Sequence, residues 1–344
     1  MNVAVLHNPR PPRDAGAVDD AFEEYDGPET IAAITDALAA IGVMARSVPA
    51  DAAFPSVLEC GGFDLVFNIA EGRGRRCREA VPAAICEFLG LPYTGSDPLT
   101  LAVTLDKWMA RRIVSPDVPV ASAVLVQGPA DEAALEALAY PVIVKPNDEG
   151  SSIGIRRDSR CDDAGAAAER CGWLRQRYGC PILVEAFLPG IEVTAAVRGN
   201  GAAAALIGLM EIAPADDDVE GFLYGLEAKR DYRRQVRYHV PPRLTPAQRD
   251  RIAALALRAY RLLGCRDIAR IDFRLDAAAT PHFLECNPLP GLNPESSDLV
   301  ILARAASADP EAAYRGIVQG ILHDAALRHG LGPAHEPSHC VDKS

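Results

Sequence analysis

Positive charge is in short supply: 35 Lys and Arg stand against 47 Asp and Glu, a formal net charge of -12. A protein that grips nucleic acid by bulk electrostatics needs a basic face, so that class is disfavoured, leaving only local patches such as Arg73 to Arg78. Paired cysteines are missing too. The nine cysteines, at 60, 77, 86, 161, 171, 180, 265, 286 and 340, make an odd count without a CxxC. They read as reduced thiols of a cytoplasmic protein, mostly small apolar fillers, with Cys286 in the core. No apolar run is long enough to span a bilayer, and MNVAVLHNPR lacks the basic start and apolar core of a signal peptide. No membrane partner is therefore expected. No GxGxxG follows the first strand and no P-loop occurs, which argues against a doubly wound dinucleotide enzyme. Internal repeats are absent.

What is present is an ordinary globular composition, 49% hydrophobic and 24% charged, in 344 residues. That length implies two or three packed subdomains. Val3 to Leu6 reads as a buried parallel strand, followed by a polar, acidic segment, Asp14 to Asp26. Ile31, Ile34, Leu38 and Ile41 recur at helical spacing between Pro28 and Gly42. Strands at Val43 to Val48 and Leu65 to Ile69 and a helix over Val81 to Leu89 complete an open α/β unit, residues 1–95. A second unit, 96–181, is read as a helix from Asp97 to Ile113, a strand from Val120 to Val126, a helix from Asp131 to Ala139 and a strand from Pro141 to Lys145. Within PNDEGSSIGIRR, Gly150-Ser151-Ser152 either presents N–H and hydroxyl groups to an anion or is a plain hairpin turn. The third unit, 182–330, opens with a strand over Ile182 to Phe187 and a hairpin across Gly199-Asn200-Gly201. Residues 213–238 lose periodicity and carry mixed charge, as a lid does, although a solvent-facing loop would read alike. A helix spans Leu244 to Gly264 with Thr245 as its cap, another spans Val300 to Leu327, and 331–344 is a flexible tail.

Between the last two helices lies ARIDFRLDAAATPHFLECNPLPG, residues 269–291. Two runs alternate with period two, Arg270 to Leu275 and His282 to Asn287, as in an antiparallel hairpin. Arg270, Asp272 and Arg274 share a face, as do Glu285 and Asn287. Pairing would gather two carboxylates and an amide oxygen, a set suited to a hard cation such as Mg2+. On the hairpin alone, a solvated face is the simpler reading.

Taken together, VIVKPNDEGSSIGI (142–155), LVEAFLPGIEVT (183–194), LEAKRDY (226–232), ARIDFRLD (269–276) and ECNPLPGLNP (285–294), in that order, resemble the ATP-grasp superfamily and within it the D-alanine:D-alanine ligases. PYTGSDPLTLAVTLDKWMARRI (92–113) resembles the segment linking the family's first two domains. The resemblance implies an α/β ATP-grasp fold: an N-terminal open parallel α/β domain, plus central and C-terminal domains clasping ATP between two antiparallel sheets. It implies a cytoplasmic ATP-dependent carboxylate-amine ligase working through an acyl phosphate. Lys107 and Lys145 would contact the nucleotide, Gly150, Ser151 and Ser152 would cover its phosphates, Glu185 would sit at the adenine side and Glu192 at the ribose. Lys229 would reach the terminal phosphate. Asp272, Glu285 and Asn287 would hold two Mg2+ ions, a place Mn2+ could also fill. Arg270 and the Gly291 N–H would stabilise the oxyanion, although a cross-strand salt bridge from Arg270 to Glu285 is the structural alternative. A homodimer through the first domain is the family's habit.

The substrate end departs from that pattern. The family's Gly-Gly-x-Ser-x-Glu turn is replaced by His7-Asn8-Pro9-Arg10, with Glu23, Glu24 and Glu29 the nearest acids. Its His-Gly turn is replaced by Ala70-Glu71-Gly72, and its tyrosine after LEAK by Arg230. Ser151 and Ser296 do match serines near the substrate. Glu71 and Arg230 alter the charge felt by a bound amino acid, so a specialised ligase making another dipeptide or amide is the second reading. A non-catalytic nucleotide-binding regulator is the third.

Overall fold

In the computed structural model, residues 1–10, 19–20, 22–219 and 221–331 are described. The first unit contains β1 (Asn2–His7), α1 (Pro28–Ala39), β2 (Met44–Pro49), α2 (Phe54–Cys60), β3 (Leu65–Asn68) and α3 (Ala80–Phe88). Its strands form a parallel sheet in the order β2-β1-β3. Val3 to Leu6 are fully buried in the central strand, which explains the uninterrupted apolar run. The apolar stripe of α1, Ile31, Ile34 and Leu38, packs one face of this sheet and also meets residues from the far end of the chain, considered below.

The helix expected over 97–113 is two: α4 (Pro98–Leu105) and α5 (Lys107–Val114). Asp106 has an extended ψ of 95° and turns its side chain onto the N–H of Met109, so it caps a new helix instead of continuing the old one. Asn147 fixes the break by donating to the Asp106 carboxylate at 2.7 Å and accepting from the Trp108 N–H at 2.9 Å. The break puts Lys107 at the helix start.

A four-stranded antiparallel sheet follows, built from β4 (Ala123–Val126), β5 (Val142–Pro146), β6 (Arg160–Cys161) and β7 (Ile182–Ala186) in the order β4-β7-β5-β6. Residues Pro129–Ala137 wind as a 3-10 helix, and α6 (Ala164–Tyr178), absent from the sequence reading, covers the sheet. The residues after Ser152 form turns, not a full second strand. The expected division at 181/182 falls just before β7, which pairs with β4 and β5 of the second unit.

The second antiparallel sheet has five strands, β8 (Glu192–Arg198), β9 (Ala205–Pro214), β10 (Val236–His239), β11 (Ile268–Leu275) and β12 (Pro281–Asn287), ordered β10-β9-β8-β11-β12. The stretch 213–238 is partly regular: β9 runs through Pro214, then come α7 (Leu226–Arg230), α8 (Tyr232–Gln235) and β10. Behind the sheet lies α9 (Pro246–Leu262), started by Thr245 and Gln248 in a capping box. The helix expected over 300–327 is divided into α10 (Asp298–Ala305) and α11 (Pro310–Arg328), with Asp309 and Pro310 starting the second. Ile317, Val318 and Ile321 of α11 meet the stripe of α1 in one core. The chain's two ends are thereby joined, and the first unit is held against the five-stranded sheet.

Candidate functional site

The two runs form the expected antiparallel hairpin, with Arg270 opposite Asn287 and Asp272 opposite Glu285. On its other side β11 pairs with β8, setting Asp272 against Thr194 and Arg274 against Glu192. Because side chains alternate along strands, one sheet face gathers these polar groups across three strands. The alternation of β12 is not continuous. A register shift between Asp272 and Phe273 leaves Leu284 without a cross-strand partner, and Leu284 and Glu285 line the same cavity.

Arg270 organises this face. Its guanidinium donates to Asp272 at 3.0 to 3.2 Å and to Asp298 at 3.0 Å, so the salt bridge runs to these acids and not to Glu285. Asp298 also accepts from the Tyr224 and Tyr238 hydroxyls, at 3.2 and 3.4 Å. Thr194 donates to Asp272. Asn287 donates its amide N–H to Asp272 at 3.2 Å and to Glu285 at 3.4 Å. An oxygen ligand at Asn287 therefore needs the amide turned end for end. Burial, opposed by Arg270, raises the Asp272 carboxyl. Burial acts on Glu285 as well, but Lys107, Lys145 and Arg270 outweigh it and hold this carboxyl at about 2. Lys107 lies 3.3 Å from Glu285 and donates to the Glu149 carbonyl. Among the described residues no group of three His, Cys, Asp or Glu is arranged to hold a metal, and the expected set has two acids and an amide.

Facing this sheet across a slot is the four-stranded one. Lys145 of β5 lies 2.5 Å from Glu185 of β7, whose other oxygen accepts from Arg111 at 2.9 Å. Glu192 lies 3.4 Å from Arg274, and burial, only partly offset by that guanidinium, pushes its carboxyl up to about 7. The Gly150-Ser151-Ser152 turn closes one side. Ser151 and Ser152 both take positive φ, 47° and 60°, an uncommon pair for residues with a Cβ. Ser152 donates to the Tyr224 carbonyl at 3.1 Å and the Leu226 N–H to the Ile155 carbonyl at 2.9 Å, docking α7 and Lys229 onto the turn. The Gly150 N–H donates to Glu24 at 2.8 Å, an approach a Cβ would block at 2.3 Å.

Two cavities result. The slot between the antiparallel sheets, about 80 Å³, is lined by Lys145, Ser152, Glu185, Glu192, Asp272 and Arg274. The larger, about 310 Å³, reaches toward the parallel sheet and is lined by Glu71, Glu79, Lys107, Gly150, Gly291 and Ser296. Glu149, Ser151, Lys229, Arg270 and Glu285 line both, so the cavities meet at a boundary of one hydroxyl, two cations and two carboxylates. Of the residues expected at the substrate end, Ser296 is an exposed member of the larger cavity. Arg230 lies outside it, bonded to Glu23 at 2.6 Å and to Asp19. Arg111, Thr194 and Asp298 were not singled out from the sequence, nor was Arg78. That arginine ends a run read as a basic patch, yet it is buried and paired with Glu24 at 2.8 Å and Glu149 at 3.3 Å.

The sequence pattern of the family described as "D-ala D-ala ligase C-terminus" matches residues 118–318, more than half the chain. The chain belongs to the D-alanine:D-alanine ligase family. The D-alanine--D-alanine ligase of Albidiferax ferrireducens is 33% identical over 286 residues, 82% of this chain and 78% of that one. That of Bordetella pertussis is 33% identical over 297 residues, 86% and 89% of the two chains. Among solved structures, the D-alanine--D-alanine ligase of Bacillus anthracis complexed with ATP aligns with a TM-score of 0.73 at 17% identity, covering 97% of this chain and all of that one (100%). VanG D-Ala:D-Ser ligase from Enterococcus faecalis aligns at 0.69 and 19% identity, covering 94% and 99%. The ATP-grasp fold expected from the motifs is thus shared with these ligases, and this family member is an ATP-dependent ligase that forms C–N bonds between small molecules.

Proposed function

We propose that the ligase joins an amino acid to an amine through an acyl phosphate formed where the two cavities meet, with D-alanine the first substrate to test. The observation carrying this reading is that shared boundary, because a phosphoryl donor in the slot and a carboxylate in the larger cavity would face each other across Glu149, Ser151, Lys229, Arg270 and Glu285. A carboxylate has oxide as its leaving group and is a poor acyl donor, so ATP must first convert it to an acyl phosphate. Both reactants are anions, and positioned cations supply much of the catalysis.

In this reading Lys145, Glu185 and Glu192 line the nucleotide's base and ribose side, an ionised Glu192 accepting from the ribose hydroxyls. Gly150, Ser151 and Ser152 cover the phosphates, with Lys107 beside them and Lys229 reaching the terminal one. Asn287 holds its amide 3.2 Å from Asp272 and 3.4 Å from Glu285, and with that amide turned end for end the three residues offer an oxygen set that fits a hard cation, so they would hold Mg2+. Bound there, the ion would neutralise phosphate charge. Arg270 and the Gly291 N–H would meet the oxyanion left when the amine attacks. Residues 213–238 act as a lid that keeps water from the intermediate. Glu71 and Ser296, which line the larger cavity, shape the choice of amino acid, and Arg230, outside it, would act on that choice through Glu23. The proposed assembly is a homodimer through the first unit, whose α3 leaves Phe88 89% exposed. The proposed compartment is the cytoplasm, and no helix among the described residues is long and apolar enough to cross a membrane.

ADP release should require Mg2+ together with both an acid and an amine substrate. Screening amino acids singly and in pairs, with dipeptide detected by mass, tests this. Turnover that persists with Asp272→Ala or Glu285→Ala would overturn the metal assignment. Efficient D-alanyl-D-alanine formation from D-alanine alone would remove the specialised-ligase alternative.

A further inference from the structure

The larger cavity holds more carboxylate than its cations answer. Glu24 and Glu149 share Arg78, and Lys107 is engaged by Glu285. Glu79 has no such partner. It sits at the N-terminal boundary of α3 without capping the helix, is 7% exposed, lines the cavity and makes no hydrogen bond or ion pair among the described residues. Glu71 lines the same wall and likewise lacks a cation within ion-pair distance among the described residues. An unpaired buried carboxylate costs several kcal/mol if ionised, so a structure that keeps Glu79 in this state, with the half-buried Glu71 on the same wall, implies a cation that arrives from outside.

Resting on the ligase reading above, we propose that one substrate is a basic amino acid of the ornithine or lysine class, its side-chain ammonium bound between Glu79 and Glu71. The cavity, about 310 Å³, is at the lower end of ordinary small-molecule sites, which run from roughly 300 to 1,000 Å³. Lys229 and Arg270 line it together with the two glutamates, so a reacting end and a charged tail would each find a partner of opposite charge in it. An ammonium donates three hydrogen bonds and pairs with carboxylates, whereas an aliphatic tail of equal length would leave both acids unanswered.

Protonation gives the proposal a second signature. In the empty cavity burial, reinforced by Glu24 and Glu149 against Arg78 and Lys107, pushes Glu79 up to about 8. Burial raises Glu71 as well, with Glu24, Glu79 and Asp26 adding to it and Arg78 opposing. An entering ammonium favours the ionised acids, so its binding expels a proton and strengthens as pH rises from 7 to 9.

The test compares lysine and ornithine with norleucine, which is nearly isosteric with lysine but carries no side-chain charge. Each is offered in both configurations beside D-alanine and ATP-Mg2+ to the full-length enzyme. The expected kcat/KM is at least tenfold higher for the basic substrates. Glu79→Gln should cut that advantage at least tenfold, through KM, and remove the extra fall in KM between pH 7 and 9 that lysine shows over norleucine. Equal rates for lysine and norleucine in the wild-type enzyme would overturn the proposal, and so would a Glu79→Gln variant that loses both equally. Turnover with D-alanine alone and none with basic amino acids would overturn it while leaving the ligase intact. If no pair turns over, the ligase reading fails by itself. Thermal shift then decides the present point: lysine raising Tm above norleucine supports it and equal shifts overturn it.

Discussion

The two cavities differ in how they settle their charge. Every buried ionic group around the slot between the antiparallel sheets, the proposed nucleotide site, has an internal partner: Lys145 and Arg111 share Glu185, Arg274 meets Glu192, and Arg270 bridges Asp272 and Asp298. The wall of the larger cavity leaves Glu71 and Glu79 unanswered among the described residues. A closed set of ion pairs is rigid and prepared before ligand arrives, which suits a nucleotide common to a whole family. An open set awaits a particular substrate. The part of the enzyme that resembles its family is therefore the part whose electrostatics are complete without ligand.

Breaking the closed set should have the largest consequence. Glu185→Gln leaves two buried cations, Lys145 and Arg111, beside each other without a carboxylate. Removing one partner of a buried ion pair costs about 3–5 kcal/mol. The loss is expected in the denaturant midpoint of the protein without ligand. A midpoint unchanged within error would mean that the slot's pairing is not a framework at all.

Arg270→Ala acts at the boundary of the two cavities. The predicted loss in kcat is about 10²- to 10³-fold, the usual effect of deleting one oxyanion donor, with Arg270→Lys recovering part of it. KM for ATP should move far less, because the guanidinium faces Asp272 and Asp298 and not the Lys145 end of the slot. A variant with near-normal kcat and a raised KM for ATP would reassign Arg270 to nucleotide binding.

Glu192 offers a pH test of the closed set. Its carboxyl is held at about 7 in the folded protein, against 4.5 as the ordinary value. Between those pH values the native state binds the extra proton, so unfolding free energy falls as pH rises through this window, by up to about 3 kcal/mol from this residue. Glu192→Gln should flatten that share of the decline, with urea unfolding at pH 5 and 7.5 as the measurement. Asp26 and Glu149 are raised to about 6 and 7 and titrate in the same window, so the difference between wild type and variant is the informative quantity. An identical pH trend in both proteins would refute the assignment.

How much of this was readable from the sequence follows from the range over which each feature is determined. Strand alternation is local, and it is enough to put Asp272 and Glu285 on faces that an antiparallel pairing brings together. Alternation carries no mark of an extra residue, so the bulge at Leu284 was invisible. The break at Asp106 was hidden because the apolar spacing continues through it, and the decisive hydrogen bond comes from Asn147, 41 residues away. Helix α6 carries no apolar stripe to mark it, because its buried residues are Ala167, Arg170, Cys171 and Leu174, with Leu174 the one large apolar side chain among them. The Arg78 to Glu24 pair spans 54 residues of sequence, and in one dimension its arginine belongs to a run of surface arginines. Long-range charge pairing is the level at which the substrate end is organised, which is why motif reading reached the nucleotide half first.

The smallest expected effect lies on the proposed lid. Arg230 of α7 reaches Glu23 at 2.6 Å and Asp19 at 3.3 Å, strapping the segment that carries Lys229 to the chain just before α1. These side chains are partly exposed, Arg230 at 37% and Asp19 at 50%, so solvent screens them and the pairing is worth no more than about 1 kcal/mol. Arg230→Ala should therefore leave the unfolding midpoint almost unchanged and alter kcat by only a few-fold. Its signature is the salt response. Wild-type rates should drift toward those of the variant as ionic strength rises, because the screening length contracts to about 3 Å near 1 M. If the gap between the two enzymes is instead independent of salt, Arg230 is not acting as an electrostatic strap, and its place at the position of the family's tyrosine has to be explained by direct contact with the substrate.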